Sequence, residues 1–201
     1  MTVTTPSFPI LTFDVNKLTP SFGYVFDGRW LDPYESVVSI LWKFVWMNRL
    51  AGHEVVERIA RHTVDPYAGM QATLQDINAK YLARTLRIRC QTVREAIPLQ
   101  TSLRSFSPEL RYCSRCMARG YHSVLHQFGR LSECPIHARP LESRCRHCGK
   151  GSAYRIDAQM LDAPFKCPHC RVPYSPSWSR FAKRSALGKH ERMALIRAYI
   201  G

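Results

Sequence analysis

Four short segments between residues 113 and 170 decide the fold of this 201-residue chain. In each, two residues separate a leading cysteine from a second cysteine or histidine, the spacing with which a tight turn presents two ligands to one metal ion. Gaps of 17 and 18 residues separate the first segment from the second and the third from the fourth, which is typical of zinc ribbons. The segments are Cys113-Ser-Arg-Cys116, Cys134-Pro-Ile-His137, Cys145-Arg-His-Cys148 and Cys167-Pro-His-Cys170.

Two pairings of these segments fit the spacing. Interleaved pairing, first segment with third, forms a cross-brace, whereas sequential pairing forms two separate zinc ribbons. We predict sequential pairing and two structural Zn²⁺ ions, because four protein ligands leave no coordination position open for a substrate. The expected ligands are Cys113, Cys116, Cys134 and His137 at one site, and Cys145, Cys148, Cys167 and Cys170 at the other.

One further cysteine and four histidines in or near these segments are not predicted to bind metal. Cys90 lies far from the other cysteines in sequence and is expected to be a small buried residue. His147 and His169 lie inside the segments and are expected to be exposed or to face phosphates. His122 and His126 are four residues apart, so they could bind metal from one helix face; we expect them instead on a hairpin surface.

The region before the cysteines is predicted to be mainly helical. Asp32-Pro33-Tyr34-Glu35 resembles a capping box that opens a helix ending near Leu50. Further helices are expected over 54–62, from Thr73 onward, and over 185–200. The predicted fold class is a mainly α N-terminal part with a helix-turn-helix-like unit, then two small zinc ribbons and a C-terminal helix.

The helix-turn-helix-like unit is predicted over 82–97, before Pro98. Arg87 occupies the turn position usually taken by Gly, where a positive φ is costly for other residues. Two core helices of a small bundle are the alternative interpretation. In a DNA-reading unit the start of the second helix contacts base edges. The side chains expected there are Arg89, Gln91, Thr92 and Arg94.

These patterns divide the chain into four parts. We predict an extended N-terminal arm over 1–30, a helical domain with the helix-turn-helix-like unit over 31–105, a tandem zinc-ribbon domain over 106–176 and a C-terminal helix over 177–201.

Positive charge is concentrated in the second half of the chain. The sequence has 29 Lys and Arg against 15 Asp and Glu, a formal charge of +14. Residues 101–201 hold 18 basic and 6 acidic side chains, against 11 and 9 in residues 1–100. This excess favours a polyanionic partner such as DNA, although arginines can also compensate thiolates or meet an acidic protein. The additional predicted contacts are Arg115, Arg119, Arg130, Arg146, Lys150 and Arg171.

The sequence predicts a cytoplasmic protein that joins the nucleoid when bound to DNA. Its first thirty residues lack a basic segment followed by an apolar stretch, so no signal peptide is expected. The most apolar run, Val37–Met47, is shorter than the roughly 20 residues that span a bilayer and contains Lys43, so no membrane partner is expected.

From Leu31 onward the chain resembles the TniQ family of transposon target-selection proteins. The most specific feature is a Cys-Pro-x-His-x3-Leu element that follows a Tyr-Cys-x2-Cys segment. In chain order the matching segments are Pro33-Tyr-Glu-Ser-Val-Val-Ser39, Arg111-Tyr112-Cys113-x2-Cys116, Cys134-Pro135-Ile136-His137-x3-Leu141 and Cys145-x2-Cys148-Gly149.

The resemblance implies an adaptor without catalytic activity, in which all eight ligands hold structural zinc. Similar proteins recognise target DNA directly, or dock on an RNA-guided CRISPR effector complex, and recruit an AAA+ ATPase that brings the transposase. Longer relatives carry further DNA-binding domains, so a chain of this length is expected to work within a larger assembly. The sequence is also compatible with a homodimer. The alternatives are a helix-turn-helix and zinc-ribbon transcription regulator, and a zinc nuclease using His122, His126 or His147.

Overall fold

The computed structural model describes residues 23–98, 106–176 and 187–200. Most of the predicted N-terminal arm therefore lies outside the described residues. Within these ranges no helix is long and apolar enough to span a bilayer. The described ranges form one two-stranded antiparallel sheet, β1 (Met70–Gln71) with β2 (Arg155–Ile156). Their helices are α1 (Val37–Asn48), α2 (Gly52–Ile59), α3 (Ala79–Leu86), α4 (Cys90–Glu95), α5 (Ser114–Ala118), α6 (Ala158–Leu161) and α7 (Lys189–Ile200).

Helix α1 begins one turn later than the sequence predicts. Its N-cap is Ser36, whose hydroxyl oxygen accepts a hydrogen bond from the amide of Ser39 at 3.1 Å. The predicted cap, Asp32, instead opens a turn, in which its amide donates to a carboxylate oxygen of Glu35 at 3.1 Å. The capping-box contact therefore forms, but it closes a turn because Tyr34 adopts a left-handed φ of 55°. A helix cannot continue through such a residue.

The polar residue inside the apolar run of α1 belongs to a buried ion pair. The Nζ of Lys43 lies 2.6 Å from Glu35 Oε1, and the two side chains are only 4% and 2% exposed. Lys43 also donates to the carbonyl of Trp30 at 2.7 Å, and Ser39 donates to Glu35 at 2.6 Å. Burial raises the pKa of Glu35, and the charge of Lys43 opposes that rise. The pair ties the segment before α1 to the middle of the helix.

Two other helix boundaries differ from the predictions. Helix α2 starts at Gly52, two residues earlier than predicted, and ends at Ile59, because its C-cap Ala60 adopts an extended conformation with a ψ of 146°. Gly52 lies against α6, where a Cβ would come within 2.5 Å of the carbonyl oxygen of Ala158. The segment from Thr73 is a turn rather than a helix: the Thr73 hydroxyl donates to Asp76 at 2.6 Å. Helix α3 then starts at Ala79 with Asn78 as its N-cap.

Helices α3 and α4 pack against each other across the predicted turn. Arg87 has a φ of 55°, so the positive φ expected at this position occurs with a non-glycine residue. Helix α4 is six residues long, which corresponds to about 9 Å. Val93 and Ile97 are buried, whereas Arg89 and Arg94 are exposed. The structure establishes two packed short helices with a basic outer side.

One hydrophobic core joins the helical part to the second cysteine site. It contains Trp42 from α1 and Leu82 from α3 together with Phe165 and Cys167. The Trp42 indole donates to the carbonyl of Met160 in α6 at 2.7 Å, and its ring lies 4.9 Å from that of Phe165. The sheet makes the same connection, since β1 follows α2 and β2 precedes α6. The predicted boundary between residues 105 and 106 therefore does not separate two cores.

A smaller second core surrounds the first cysteine site. Its buried members include Tyr121, Leu125 and Leu195, the last from helix α7. The predicted C-terminal helix therefore starts at Lys189 and packs on the first ribbon, and the predicted residues 185 and 186 lie outside the described part of the chain. An ion pair between Arg192 and Asp32 at 2.7 Å links the same helix to the turn before α1.

Candidate metal centres

The first predicted ligand set converges on one point. The Nδ1 atom of His137 lies 3.4 Å from the Sγ atoms of Cys113 and Cys116 and 3.6 Å from that of Cys134. The Sγ atoms of Cys116 and Cys134 lie 3.7 Å apart. Zinc bonds of about 2.3 Å to sulfur and about 2.0 Å to nitrogen, at tetrahedral angles, require about 3.8 Å between two sulfur atoms and about 3.5 Å between sulfur and nitrogen. The four side chains therefore fit a tetrahedral Zn²⁺.

The second set has the same form with four thiols. The Sγ atoms of Cys145 and Cys170 lie 3.7 Å apart, as do those of Cys148 and Cys167. In both sets all ligand atoms lie within 4.8 Å of one another. Both clusters join consecutive segments, so sequential pairing is confirmed and the cross-brace is wrong.

Three of the four ligand-bearing turns share one backbone geometry. In each, the amide of the first cysteine donates to the carbonyl five residues on, and the amide four residues on donates back to the cysteine carbonyl. The residue four positions after the cysteine has a positive φ: 44° at Ala138, 73° at Gly149 and 61° at Arg171. The first turn differs because Cys113 precedes helix α5, which carries Cys116.

Helix α7 supplies polar contacts around the first centre. Because Nδ1 of His137 faces the cysteines, its Nε2 faces outward and lies 3.8 Å from Glu191. Glu191 also pairs with Arg119, and it accepts from the amide of Gly188 at 2.7 Å. At 3.8 Å the contact with His137 is too long for a hydrogen bond, so Glu191 places a negative charge beside the ring without fixing its orientation. The sequence did not indicate this contact, because Glu191 lies 54 positions beyond His137.

His122 and His126 are fully buried, so their predicted place on a hairpin surface is wrong. The Nε2 of His122 donates to the carbonyl of Arg111 at 2.8 Å, which leaves its Nδ1 to accept from the Ser36 hydroxyl at 2.7 Å. Burial lowers the pKa of His122 to about 4 and that of His126 well below its usual value. His122 thus fastens the cap of α1 to the first ribbon.

Cys90, His147 and His169 lie outside both ligand clusters. Cys90 is half-buried against the main core and belongs to neither ligand cluster. His147 and His169 are exposed, as predicted, and His169 contacts the carbonyl of Gly151 at 2.9 Å.

The ten predicted nucleic-acid contacts lie on several faces. Nine of them are exposed and Thr92 is half-buried. Arg119 forms an ion pair with Glu191, and Arg146 forms one with Glu142, so both guanidinium groups have acidic partners within the chain. Four predicted contacts on the ribbons form no ion pair among the described residues, namely Arg115, Arg130, Lys150 and Arg171.

Three predicted contacts line one groove of about 710 Å³, which we term the basic groove. Gln91 and Arg94 come from α4 and Arg130 from the first ribbon. The fold adds two cations that sequence reasoning missed, Arg61 and Lys80. Neither belongs to a motif, and they approach the others only because α2 and α3 pack beside α4.

Models of known protein families give no match to this chain, and a search of curated proteins gives no significant relative.

Proposed function

We propose that this protein is a non-catalytic, zinc-binding adaptor of DNA transposition. In this role it links target DNA, directly or through an RNA-guided complex, to an AAA+ ATPase that recruits the transposase. The observation that supports the proposal most is the convergence of Cys113, Cys116, Cys134 and His137. These side chains come from the ordered segments on which the resemblance to the TniQ family rests.

The coordination geometry supports a structural role for two Zn²⁺ ions. Cys113, Cys116, Cys134 and His137 would hold one ion and Cys145, Cys148, Cys167 and Cys170 the other. Each ion would have four protein ligands, so neither offers a position for an activated water. The first ion would carry a net charge of −1 with its ligands and the second −2, which lowers the formal charge of +14 to about +11. Most of the positive charge stays available for DNA.

Burial argues against a zinc nuclease that uses His122 or His126. Both ring nitrogens of His122 are hydrogen-bonded, and His126 is fully buried with Nδ1 facing the amide of Ser123 at 3.4 Å. A metal bound there would displace the contacts that hold α1 to the first ribbon. The short α4 also argues against a regulator that reads a long site with this unit alone, since few side chains at its start can reach base edges.

DNA affinity as a function of salt tests the direct-contact part of this proposal. We expect the dissociation constant of the zinc-loaded protein for a mixed-sequence duplex to rise about 100-fold between about 50 and 200 mM salt if four phosphates are contacted. The triple variant Arg115→Gln, Lys150→Gln, Arg171→Gln removes three ribbon cations without an ion pair among the described residues, and it should bind more weakly and with a shallower salt slope. Flat binding over this range would contradict direct DNA contact.

Assembly with an AAA+ transposition ATPase tests the adaptor part. We expect the protein, ATPase, nucleotide and DNA to co-purify as one complex, and Cys134→Ser, which breaks the first centre, to abolish it. No complex with the intact protein would contradict the adaptor role. A footprint of two half-sites about 34 to 36 Å apart, without ATPase, would favour the transcription regulator.

A further inference from the structure

We infer that the basic groove docks a short acidic segment of a protein partner, with apolar side chains on the floor and carboxylates on the rim. The groove lies between the α3–α4 unit and the first ribbon. The inference goes beyond the proposed function and does not depend on DNA binding. It assigns Gln91, Arg94 and Arg130, three residues that the sequence suggested as DNA contacts, to a protein interface.

The rim of the groove carries uncompensated positive charge. It holds four cations, Arg61, Lys80, Arg94 and Arg130, and one carboxylate, Glu95. Among the described residues no ion pair involves any of the four cations. Glu95 accepts a hydrogen bond from Gln91 at 3.0 Å, and the Nε of Arg61 donates to the carbonyl of Ile77 at 2.9 Å, which fixes that side chain at the rim. The occupant must therefore be anionic.

The floor of the groove favours a peptide over nucleic acid. It is formed by aliphatic and aromatic side chains, namely Leu74, Ile97, Pro98, Val124, Phe106 and Phe128. A duplex presents mainly phosphates and sugar oxygens to a protein, whereas Leu or Ile of a peptide can fill a recess lined by aliphatic side chains. Base stacking needs an open aromatic face. The Phe128 ring is instead covered by the Arg130 guanidinium, 5.6 Å from its centroid, and by the Phe106 ring at 4.4 Å.

Charge also argues against two occupants that this chain could supply, the segment 99–105 and a second copy. The segment 99–105, Leu-Gln-Thr-Ser-Leu-Arg-Ser, connects two floor residues and contains Arg104 but no acidic side chain. A second copy carries a formal charge of +14 and would be repelled by the rim. An acidic segment of another protein is complementary to both rim and floor.

A designed peptide tests this docking site. The probe is a fluorescein-labelled peptide of about 16 residues with Leu at positions i, i+3, i+4 and i+7, four Glu on the flanking positions, and Ala and Gln at the rest to keep helix propensity. We expect the zinc-loaded full chain to bind it, and not to bind versions with Lys for Glu or Ser for Leu. Lys80→Gln, Arg94→Gln, Arg130→Gln should weaken binding about tenfold or more, because three exposed charge pairs are lost.

The matched control removes the same number of cations elsewhere. Arg115→Gln, Lys150→Gln, Arg171→Gln on the ribbons should change peptide affinity less than about twofold, whereas the groove variant should lower duplex affinity less than this ribbon variant does. Circular dichroism and zinc content confirm that both variants are folded.

Other outcomes overturn the inference. In the first, the wild-type protein does not bind the Leu and Glu peptide, and in the second, both triple variants lose peptide affinity equally. In the third, the groove variant alone loses duplex affinity. In the last, the wild-type protein forms a dimer that the groove variant dissociates. If wild type binds the peptide at the groove but binds DNA without salt dependence, direct DNA contact fails while the docking site stands.

Discussion

At the scale of single residues, the ligand-bearing turns depend on one left-handed position. The residue four places after the cysteine has a positive φ in three turns, and only Gly149 is a glycine; Ala138 and Arg171 are not. An L-residue in this conformation costs about 1–2 kcal/mol, which glycine avoids. A Cβ added at Gly149 meets nothing within 4 Å, so only the backbone conformation opposes a larger residue there.

Replacing Gly149 and introducing glycine at Ala138 should therefore change the free energy of unfolding in opposite directions. We expect Gly149→Ala to lower the free energy of unfolding by about 1 kcal/mol, and Ala138→Gly to raise it by about 0.5 kcal/mol, because relief of strain exceeds the added entropy of the unfolded chain. Chemical denaturation of the zinc-loaded protein measures both. A neutral Gly149→Ala would show that this turn tolerates the strain without cost.

At the scale of elements, His122 connects α1 to the first ribbon through buried hydrogen bonds. Its ring lies between the Ser36 hydroxyl at the start of α1 and the Arg111 carbonyl. Burial lowers the pKa of His122 from 6.5 to about 4, so its imidazole ring is neutral in the folded protein above that pH. The connection therefore depends on pH.

Acid should weaken this connection. The unfolded chain binds more protons than the folded chain between pH 6.5 and about 4, so stability from the neutral ring is complete above pH 6.5 and is lost as pH falls toward 4. The expected loss is about 3 kcal/mol. Because acid also removes zinc from thiolates, the measurement is the difference in pH slope of unfolding between wild type and His122→Gln. We expect a shallower slope for His122→Gln than for wild type. Equal slopes for the two proteins would contradict the assignment.

At the scale of the whole molecule, the two metal centres support different parts of the fold. Cys145 and Cys167 of the second centre belong to the main core with Trp42 of α1, whereas Cys113 and Cys134 of the first belong to the smaller core with Leu195 of α7. Loss of the first Zn²⁺ should therefore destabilise different helices from loss of the second.

Hydrogen exchange can separate the two effects. We expect Cys134→Ser to lose one zinc ion and to expose amides of α5 and α7, while α2 stays protected. Cys167→Ser should also lose one ion but expose amides of α1, α2 and α6, because its centre completes the core on which they pack. Native mass spectrometry measures zinc content, and hydrogen–deuterium exchange on separate samples measures amide protection. The same exchange pattern in both variants would show that the two centres act as one unit.

The spacing of cysteines and histidines was enough to identify the eight candidate ligands, because two ligands two residues apart must lie on one turn. The spacing fitted two pairings of these turns, and the tertiary structure decided between them by bringing consecutive turns together. The sequence also indicated the α3–α4 pair and the positive φ at Arg87 from local pattern alone. It did not indicate that Glu35 pairs with Lys43, that His122 is buried, or that Arg61 and Lys80 share a groove with Arg94 and Arg130. Those features arise from residues distant in sequence, which come together only when the helices and ribbons bury their apolar faces against each other.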